Sequence, residues 1–470
     1  MKHALSSEEK YHALTHAPLP RLILRLALPT ILSSMISSIH SMINTYFVGS
    51  LGTSATAAVG VSSALMLMIT AIGYTMGSGA GNFISRLLGQ KDREHASKVL
   101  ATGFVTALFS GVVILFVGIL WIDPLVWALG STQTIFPYAK EYVFFMLLGA
   151  PAMTGCYVLE SAMRFQGSTF FAMLGLSAGA VINTILDPIL IYTMGMGVGG
   201  AALATALSQY MSFFILLFYC GRSGTLPIKL RHFSPRWSIY REILKNGAPT
   251  FFRQALSSVA GISMNLAARP YGDAAIAAIS ISNRTLFLSN AALRGFGQGY
   301  QPVCGYNYGA GKYDRVREGF RFVLKVTGIA LLLFSIGAYA FAPKIIAIFR
   351  RDDLEVIAIG ATTLRLQCLV YPLNSWTNLT NMTMQSIGQS TRSSALSLLR
   401  QGLFFLTFIF TIPHFFGLLG VQLSQPLADL GTFLVAFLMG RKVMRELRLL
   451  GEEAAEEPVA SAVLQTGSGR

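Results

Sequence analysis

The chain has 470 residues and a formal net charge of +15, yet only 12% of its residues are charged and 53% are hydrophobic. About a quarter of the residues of an average soluble domain are charged, so this composition excludes an ordinary soluble protein. The positive charge does not indicate a nucleic-acid partner, because the lysines and arginines are distributed as in a membrane protein.

Apolar runs predict twelve transmembrane helices along the chain. The stretch from Leu26 to Ser85 contains no Lys, Arg, Asp or Glu, and it is long enough for two spans of about 20 residues each. Similar runs cover almost all of the remaining sequence. The predicted spans are 20–47, 54–83, 95–121, 135–158, 167–193, 199–221, 240–268, 274–304, 314–342, 355–380, 391–412 and 418–444.

These spans divide the chain into two lobes of six helices. The predicted segments are a cytoplasmic N-terminal segment (1–19), an N-terminal lobe (20–221), a cytoplasmic linker (222–239), a C-terminal lobe (240–447) and a disordered cytoplasmic tail (448–470). Loops and adjoining parts of spans on the N-terminal side of the membrane hold 27 of the 36 basic residues. The positive-inside rule therefore predicts cytoplasmic termini, in a multi-pass protein of the plasma (inner) membrane.

The two halves repeat each other at an almost constant shift. Residues 29–89 match residues 249–309 at 13 of 61 positions without a gap, and a second region keeps nearly the same shift. The identical pairs include Pro29/Pro249, Gly77/Gly297 and Gly167/Gly388. Because each half has six spans, both halves begin on the same side of the membrane, as in a parallel repeat around a central cavity.

Asp187 is the strongest candidate for chemistry inside the membrane, where a charge costs roughly 2.5–3.5 kcal/mol. Asn183 lies four residues earlier and shares its helix face. Pro188 removes a backbone donor and so frees a carbonyl oxygen one turn before it. These oxygens predict a Na⁺ site, or a carboxylate that takes up a proton. The alternative is an aspartate that only hydrogen-bonds a neighbouring helix.

A polar stripe in the first span consists of Ser37, His40, Ser41 and Asn44, at spacings of three and four residues. We expect this stripe to face the protein interior. His40 and Asn44 are therefore candidates for cation or proton coupling. The alternative is that these side chains only form interhelical hydrogen bonds that hold the helices together.

Four further charged residues, Glu160, Arg284, Arg294 and Asp429, are candidates for lining a substrate cavity. The arginines could also balance the charge of Asp429. Glu160 has an alternative partner in Arg164, one helical turn further on. Beyond the Na⁺ site at Asn183 and Asp187, the sequence predicts no metal site.

Several segments resemble the multidrug and toxin extrusion (MATE) family. These are Gly77–Val99, Gly297–Gly311, Pro29-Thr30, Arg164–Gly167 and Asn183–Pro188. The resemblance extends over about residues 20–447. It implies a V-shaped pair of six-helix bundles that exports organic cations or other amphipathic compounds in exchange for Na⁺ or H⁺.

The resemblance also implies roles for individual residues. Asn183 and Asp187 match the cation-binding positions of the N-terminal lobe, and Glu160 matches an acid found in one bacterial branch of the family. This chain has Asn44-Thr45 where many relatives have Asp-Thr. An amide cannot release a proton, so either Asp187 carries the coupling alone, His40 contributes, or the coupling differs.

The sequence therefore predicts a secondary-active multidrug antiporter that is not an enzyme and uses no cofactor besides its coupling ion. Its expected partners are small-molecule substrates and membrane lipid, and we expect a monomer. One alternative is a flippase for lipid-linked precursors, which would favour a cavity rich in Arg and Lys. The other is a membrane scaffold or receptor without transport activity.

Overall fold

The computed structural model describes residues 7–223, 226–350 and 353–467, whose regular secondary structure is helical. The helices of the first half are α1 Ser7–His16, α2 Leu19–Gly49, α3 Thr53–Gly89, α4 Arg93–Leu120, α5 Ile122–Ala128, α6 Phe136–Phe165, α7 Thr169–Pro188 and α8 Gly197–Ser223. Those of the second half are α9 Trp237–Ala268, α10 Asp273–Gly309, α11 Tyr313–Ala340, α12 Ala342–Phe349, α13 Leu354–Val370, α14 Asn374–Ser386, α15 Ser390–Leu398 and α16 Leu406–Gly467.

Two π-helical segments, Ile189–Thr193 and Leu399–Phe405, directly follow α7 and α15. Short 3₁₀ turns occupy Leu230–His232, Arg269–Tyr271 and Tyr371–Leu373. Parts of four predicted segments lie outside the described residues: 1–6 at the start, 224–225 in the linker, 351–352 in the C-terminal lobe and 468–470 at the end.

The long helices provide the twelve predicted spans. Within the described ranges, nine helical stretches are long and apolar enough to cross a membrane. The last of these, Ser390–Ala454, holds two spans, because Gly417 has φ 58° and ψ −136° and interrupts the helical path. Such a conformation is readily adopted by glycine. The less apolar helices α9 and α10 complete the set of twelve.

Large apolar side chains cover much of the outer surface of these helices. Leu120, Phe415 and Leu438 are largely exposed, and the exposed fraction of Phe415 reaches 82%. Scattered apolar side chains are normal on any protein surface, but extensive apolar surface marks contact with another apolar phase. This surface fits a multi-pass protein surrounded by lipid.

The chain forms two compact units, each with buried apolar clusters of its own. The N-terminal unit contains Leu26–Ile84 and Arg93–Ala255. The C-terminal unit contains Glu8–Arg25, Ser85–Asp92 and the residues from Leu256 onward. This division differs from the predicted lobes, because the first part of α9 belongs to the N-terminal unit and α1 belongs to the C-terminal unit.

Close helix packing explains why the start of α9 belongs to the N-terminal unit. A Cβ atom at Gly79 of α3 would collide with the carbonyl oxygen of Ile243 in α9, and one at Gly247 of α9 would collide with that of Thr75. The missing side chains therefore let α3 and α9 approach backbone to backbone. Glycine is the residue that permits such an approach.

Hydrogen bonds to the end of α1 hold this helix within the C-terminal unit. Asn307 Nδ2 donates to the carbonyl oxygen of Leu14 at 3.0 Å. Lys312 Nζ donates to the carbonyl oxygen of Thr15 at 3.2 Å. The last carbonyls of a helix lack intrahelical donors, so these side chains satisfy them. Leu14 and Thr15 are both buried.

The last helix, α16, extends into the predicted tail. The predicted disorder of residues 448–470 stays a prediction. Arg448 Nε donates to Glu452 Oε1 at 2.7 Å, and such a pair four residues apart stabilises a helix by about 0.2–0.5 kcal/mol. The Ala and Glu residues that follow are strong helix formers.

Candidate cation-coupling site

Two buried polar side chains, Asn183 and Asp187, lie near the end of α7. Their exposed fractions are 1% and 0%, and their spacing of four residues places them on one face of the helix. Pro188 follows directly, and the chain then enters the π-helical segment Ile189–Thr193. Because proline has no N–H group, the Thr184 carbonyl loses its α-helical donor. Such π-helical segments are frequent at functional sites.

The polar stripe of α2 contacts α7 through two of its four members. His40 Nε2 lies 2.5 Å from Asn183 Oδ1. One turn further along α2, Asn44 Nδ2 donates to Asp187 Oδ2 at 3.4 Å. The two serines of the stripe are exposed. The structure thus brings together all four predicted coupling residues.

Asn183 links α2 to a third helix. An amide oxygen only accepts hydrogen bonds, so the short contact requires His40 to donate from Nε2. The amide nitrogen of Asn183 donates to Thr205 Oγ1 of α8 at 3.3 Å, and Thr205 Oγ1 donates to the carbonyl oxygen of Ala201 at 3.0 Å. We call His40, Asn44, Asn183, Asp187 and Thr205 the N-terminal polar cluster.

Asp187 is the acidic member of the N-terminal polar cluster, and its carboxylate is only partly satisfied. Oδ2 accepts the long hydrogen bond from Asn44, whereas Oδ1 has no hydrogen-bond partner among the described residues. A buried carboxylate without a cation beside it is strongly unfavourable. The cluster can remove this cost by binding a small cation through its oxygens or by taking up a proton on Asp187.

Glu160 lies apart from this cluster, near the end of α6. The predicted pairing is present, because Arg164 Nε lies 3.6 Å from Glu160 Oε1 and both side chains are buried. The second carboxylate oxygen, Oε2, has no hydrogen-bond partner among the described residues. The pair joins two turns of one helix, and a substrate role for Glu160 stays a prediction.

Two of the remaining candidates, Arg294 and Asp429, line one cavity of about 320 Å³ inside the C-terminal unit. Arg284 is exposed on α10 and does not belong to the lining of that cavity. We call this space the C-terminal cavity. Its main polar residues are Asn290, Arg294, Gln367, Asn374, Arg400 and Asp429.

A comparison with protein-family models matches one family, MatE, at residues 29–189 and again at residues 249–411. The two matched stretches fall one in each half and together cover more than half of the chain. The chain belongs to the MATE family of transporters. Because the same model matches twice, the internal repeat of this MATE protein is confirmed as well.

Proteins similar to this MATE transporter cover almost its whole length. The multidrug export protein MepA of Staphylococcus aureus (strain MSSA476) is 26% identical over 438 residues, which is 92% of this chain and 96% of MepA. A crystal structure of MATE in complex with MaL6 is 26% identical, with a TM-score of 0.88 over 94% of this chain and 99% of that chain.

A second solved structure gives the same result. A MOP superfamily transporter from Pyrococcus furiosus Vc1 (DSM3638) is 26% identical, with a TM-score of 0.87 over 94% of this chain and 99% of that chain. These similarities confirm the predicted all-α membrane fold of twelve helices in two six-helix bundles.

Sequence reasoning missed several polar residues of this MATE protein. Thr205 lies in the apolar run of α8, and the buried Tyr142 of α6 lies among aromatic and aliphatic residues. In the C-terminal cavity the main omission was Arg400, which binds Asp429. Its position inside the predicted span 391–412 was an available signal, because an arginine within a span is unusual.

Proposed function

We propose that this MATE transporter is a secondary-active multidrug efflux antiporter. It exports organic cations or other amphipathic compounds in exchange for Na⁺ or H⁺, which binds at Asp187. The observation that carries the proposal is the burial of this carboxylate with one oxygen unpartnered and only amide, imidazole and hydroxyl groups in the N-terminal polar cluster around it. The printed name of MepA, a multidrug export protein, supports the substrate class.

The N-terminal polar cluster has one acidic charge to neutralise. Asn44 stands where the family resemblance implies an aspartate, so a single monovalent cation or a single proton compensates Asp187. Oxygen atoms of Asp187 and Asn183, with the Thr184 carbonyl that lacks its α-helical donor, are ligands of the kind that Na⁺ accepts. Coupling follows if the ion and the substrate favour different conformations of the transporter, because each ligand then displaces the equilibrium against the other.

The proposed location is the plasma (inner) membrane, with both termini in the cytoplasm. The support is the excess of basic residues on the N-terminal side of the predicted spans. Several of them lie in the polar connection between the two halves, including Lys229, Arg231 and Arg236. In this orientation, the exchange moves substrates out of the cell.

Efflux from everted membrane vesicles tests the proposal. Vesicles containing the full chain are loaded with a cationic fluorescent dye by transport, under an imposed Na⁺ gradient or an imposed H⁺ gradient. We expect one of the two gradients to drive accumulation, and Asp187→Asn to reduce the gradient-driven rate at least tenfold. Wild-type transport that ignores both gradients, or full gradient response in Asp187→Asn, would contradict the proposal.

Asp123→Asn is the matched control for this experiment. Asp123 lies in the short helix α5, is exposed, and pairs with Lys140 at 2.6 Å. Exposed ion pairs contribute about 0–1 kcal/mol to stability. The control variant removes the same carboxylate charge and should transport like the wild type.

A flippase for lipid-linked precursors is the second candidate function, and the two arginines of the C-terminal cavity favour it. Family membership favours a transporter over the scaffold or receptor considered from the sequence. The vesicle experiment separates the two candidates. Movement of a fluorescent phospholipid-linked probe without any dye transport would support the flippase and exclude the antiporter.

A further inference from the structure

The C-terminal cavity is large enough to hold a small molecule or the head of a larger one. Its volume of about 320 Å³ lies at the lower end of the range for ligand pockets, roughly 300–1,000 Å³. It is lined by residues of α9, α10, α13, α14, the π-helical segment Leu399–Phe405 and α16. All of its lining residues belong to the C-terminal unit.

The residues that line the C-terminal cavity carry a net positive charge. Arg294 and Arg400 are the basic lining residues and Asp429 is the acidic one. Three donors already satisfy Asp429: Arg400 Nε and Gln425 Nε2 donate to Oδ1 at 3.0 and 2.9 Å, and Asn374 Nδ2 donates to Oδ2 at 3.1 Å. This carboxylate has little capacity left to attract a cation.

Arg400, in contrast, has unused donors. Its Nε atom binds Asp429, but neither terminal amino group has a hydrogen-bond partner among the described residues. The side chain is 24% exposed, so these groups remain accessible. A guanidinium group binds planar oxyanions through two parallel hydrogen bonds. Arg400 therefore presents donors for a carboxylate or a phosphate.

Two other features of the cavity wall complete the site. Gln367 is only 4% exposed, and while its amide nitrogen donates to Asn283 Oδ1 at 3.2 Å, its Oε1 atom has no partner in the described chain. A buried acceptor without a donor is unfavourable, so a ligand donor would be stabilising there. Phe287 and Phe405 add aromatic surface to the same cavity.

We infer that the C-terminal cavity binds the anionic oxygen group of an amphipathic molecule, through Arg400 and Arg294, with the apolar body of that molecule against Phe287 and Phe405. Arg294 lies 5.6 Å from the centre of the Phe287 ring, which places a cation beside the aromatic surface. The anion is a carboxylate of a small compound or the phosphate of a lipid headgroup. One part of this inference rests on the proposed antiport function, namely that a molecule bound in the C-terminal cavity is also exported.

Equilibrium binding to the purified full chain tests the inference. The protein is placed in nanodiscs of phosphatidylcholine, and dansylglycine, which carries a carboxylate, is titrated while its fluorescence is measured. The neutral methyl ester of dansylglycine is the matched probe. We expect the acid to bind about tenfold more tightly than the ester, because charge-assisted hydrogen bonds are the strong ones. Equal binding of acid and ester would overturn the inference.

Substitutions of charged residues test whether dansylglycine binds in the C-terminal cavity. Replacing Arg400 alone leaves Asp429 buried without its partner and risks misfolding, so Arg400→Gln is combined with Asp429→Asn. This double variant should weaken dansylglycine binding about tenfold or more, and Arg294→Gln should weaken it to a lesser degree. Arg321→Gln, which removes an exposed arginine of α11 outside the cavity lining, should bind like the wild type. Wild-type affinity in the double variant would overturn the inference.

A second lipid composition identifies the source of the anion. When half of the phosphatidylcholine is replaced with phosphatidylglycerol, displacement of dansylglycine from the wild type would show that a lipid headgroup occupies the site. Unchanged binding would assign the site to free carboxylate compounds. Both outcomes support an anion site. Binding is measured without an ion gradient, so a failure of the antiport test does not affect the result of the binding test. In the same way, a failure of the binding test does not affect the proposed antiport function.

Discussion

The N-terminal polar cluster and the C-terminal cavity lie on helices that correspond in the internal repeat, but they place their polar residues at different positions. At the shifts of 220 and 221 residues, the counterparts of His40 and Asn44 are Ala260 and Met264, and those of Asn183 and Asp187 are Phe404 and Phe408. Ala260 and Met264 line the C-terminal cavity. The rings of Phe404 and Phe408 stack at 6.1 Å.

The C-terminal half obtains its charges elsewhere. Arg294, Arg400 and Asp429 come from α10, the π-helical segment and α16, and two of these three charges are positive. The N-terminal polar cluster instead contains the single acid Asp187. Pairs such as Pro29/Pro249 and Gly77/Gly297 persist while the polar positions differ. A duplicated helical framework can therefore be retained while its two halves acquire sites of opposite charge.

The largest expected effect comes from placing the N-terminal acid in the C-terminal half. Phe408→Asp introduces a carboxylate at the position that corresponds to Asp187, but the polar partners of Asp187 have no counterparts there. A charge at the centre of a span costs roughly 2.5–3.5 kcal/mol on the insertion scale. We expect a clear loss of folded, monodisperse protein and a lower Tm in detergent. Phe408→Leu is the control, and equal Tm values for the two variants would show that the halves are interchangeable at this position.

A medium effect on Tm is expected from substitutions at Gly77 and Gly297, two glycines that correspond in the internal repeat. A Cβ atom at Gly77 would lie 2.5 Å from the backbone carbonyl oxygen of Tyr157, whereas one at Gly297 would meet the flexible side chain of Met382. Overpacking costs about 1–3 kcal/mol when the neighbour cannot move, and alanine gains up to about 1 kcal/mol of helix propensity over glycine. Gly77→Ala should therefore lower the Tm, while Gly297→Ala should leave it almost unchanged.

Gly60→Ala in α3 is the control for this pair, because no atom lies within 4 Å of its added methyl group. It should be neutral or slightly stabilising. Equal losses of Tm at Gly77 and Gly297 would contradict the difference that the structure indicates between the two halves.

The smallest expected effect concerns α1, which belongs to the C-terminal unit. Partial removal from water, with the nearby Lys312 ammonium and His12 ring, lowers the pKa of His16 below its ordinary value. Lys312 Nζ lies 2.7 Å from His16 Nε2, so a neutral imidazole accepts from the ammonium. The docked state of α1 therefore disfavours protonation of His16. Docking of α1 is favoured at a pH above the ordinary histidine pKa of about 6.5, and it weakens as the pH falls below that value.

Hydrogen exchange measures this pH dependence. The protection of the α1 amides, corrected for the intrinsic exchange rate, should decrease slightly between neutral and mildly acidic pH. His16→Gln keeps a hydrogen-bond acceptor but does not titrate, so most of the decrease should disappear. A decrease of the same size in His16→Gln would assign the effect to another group.

Much of the fold and one of the two polar sites could be predicted from the sequence. Charge-free runs and the constant shift between halves were enough for twelve spans and a duplication, because the membrane imposes length and polarity on each helix. Asn183 and Asp187 stood out by their spacing, and so did His40 and Asn44. Both pairs lie on polar helix faces that need a buried polar partner. In the structure the two pairs contact each other, although they are 143 residues apart in the sequence.

The C-terminal cavity was harder to predict for a physical reason. Arg400 and Asp429 are 29 residues apart, on helices whose relative rotation depends on the π-helical segment Leu399–Phe405. An extra residue in a helical turn changes which side chains share a face, and the periodicity of the sequence does not reveal it. The docking of α1 was missed for a similar reason, since its partners are far away in the chain.

The contact between α1 and Asn307 has a consequence for the order of events during synthesis. Leu14 and Asn307 are 293 positions apart, so at about 5–20 residues per second the ribosome needs roughly 15–60 s to reach the second partner after the first. For that time α1 has no docking site. A nascent chain therefore carries α1 unattached through the synthesis of more than half of the protein, exposed to any chaperone or protease that reaches the growing chain.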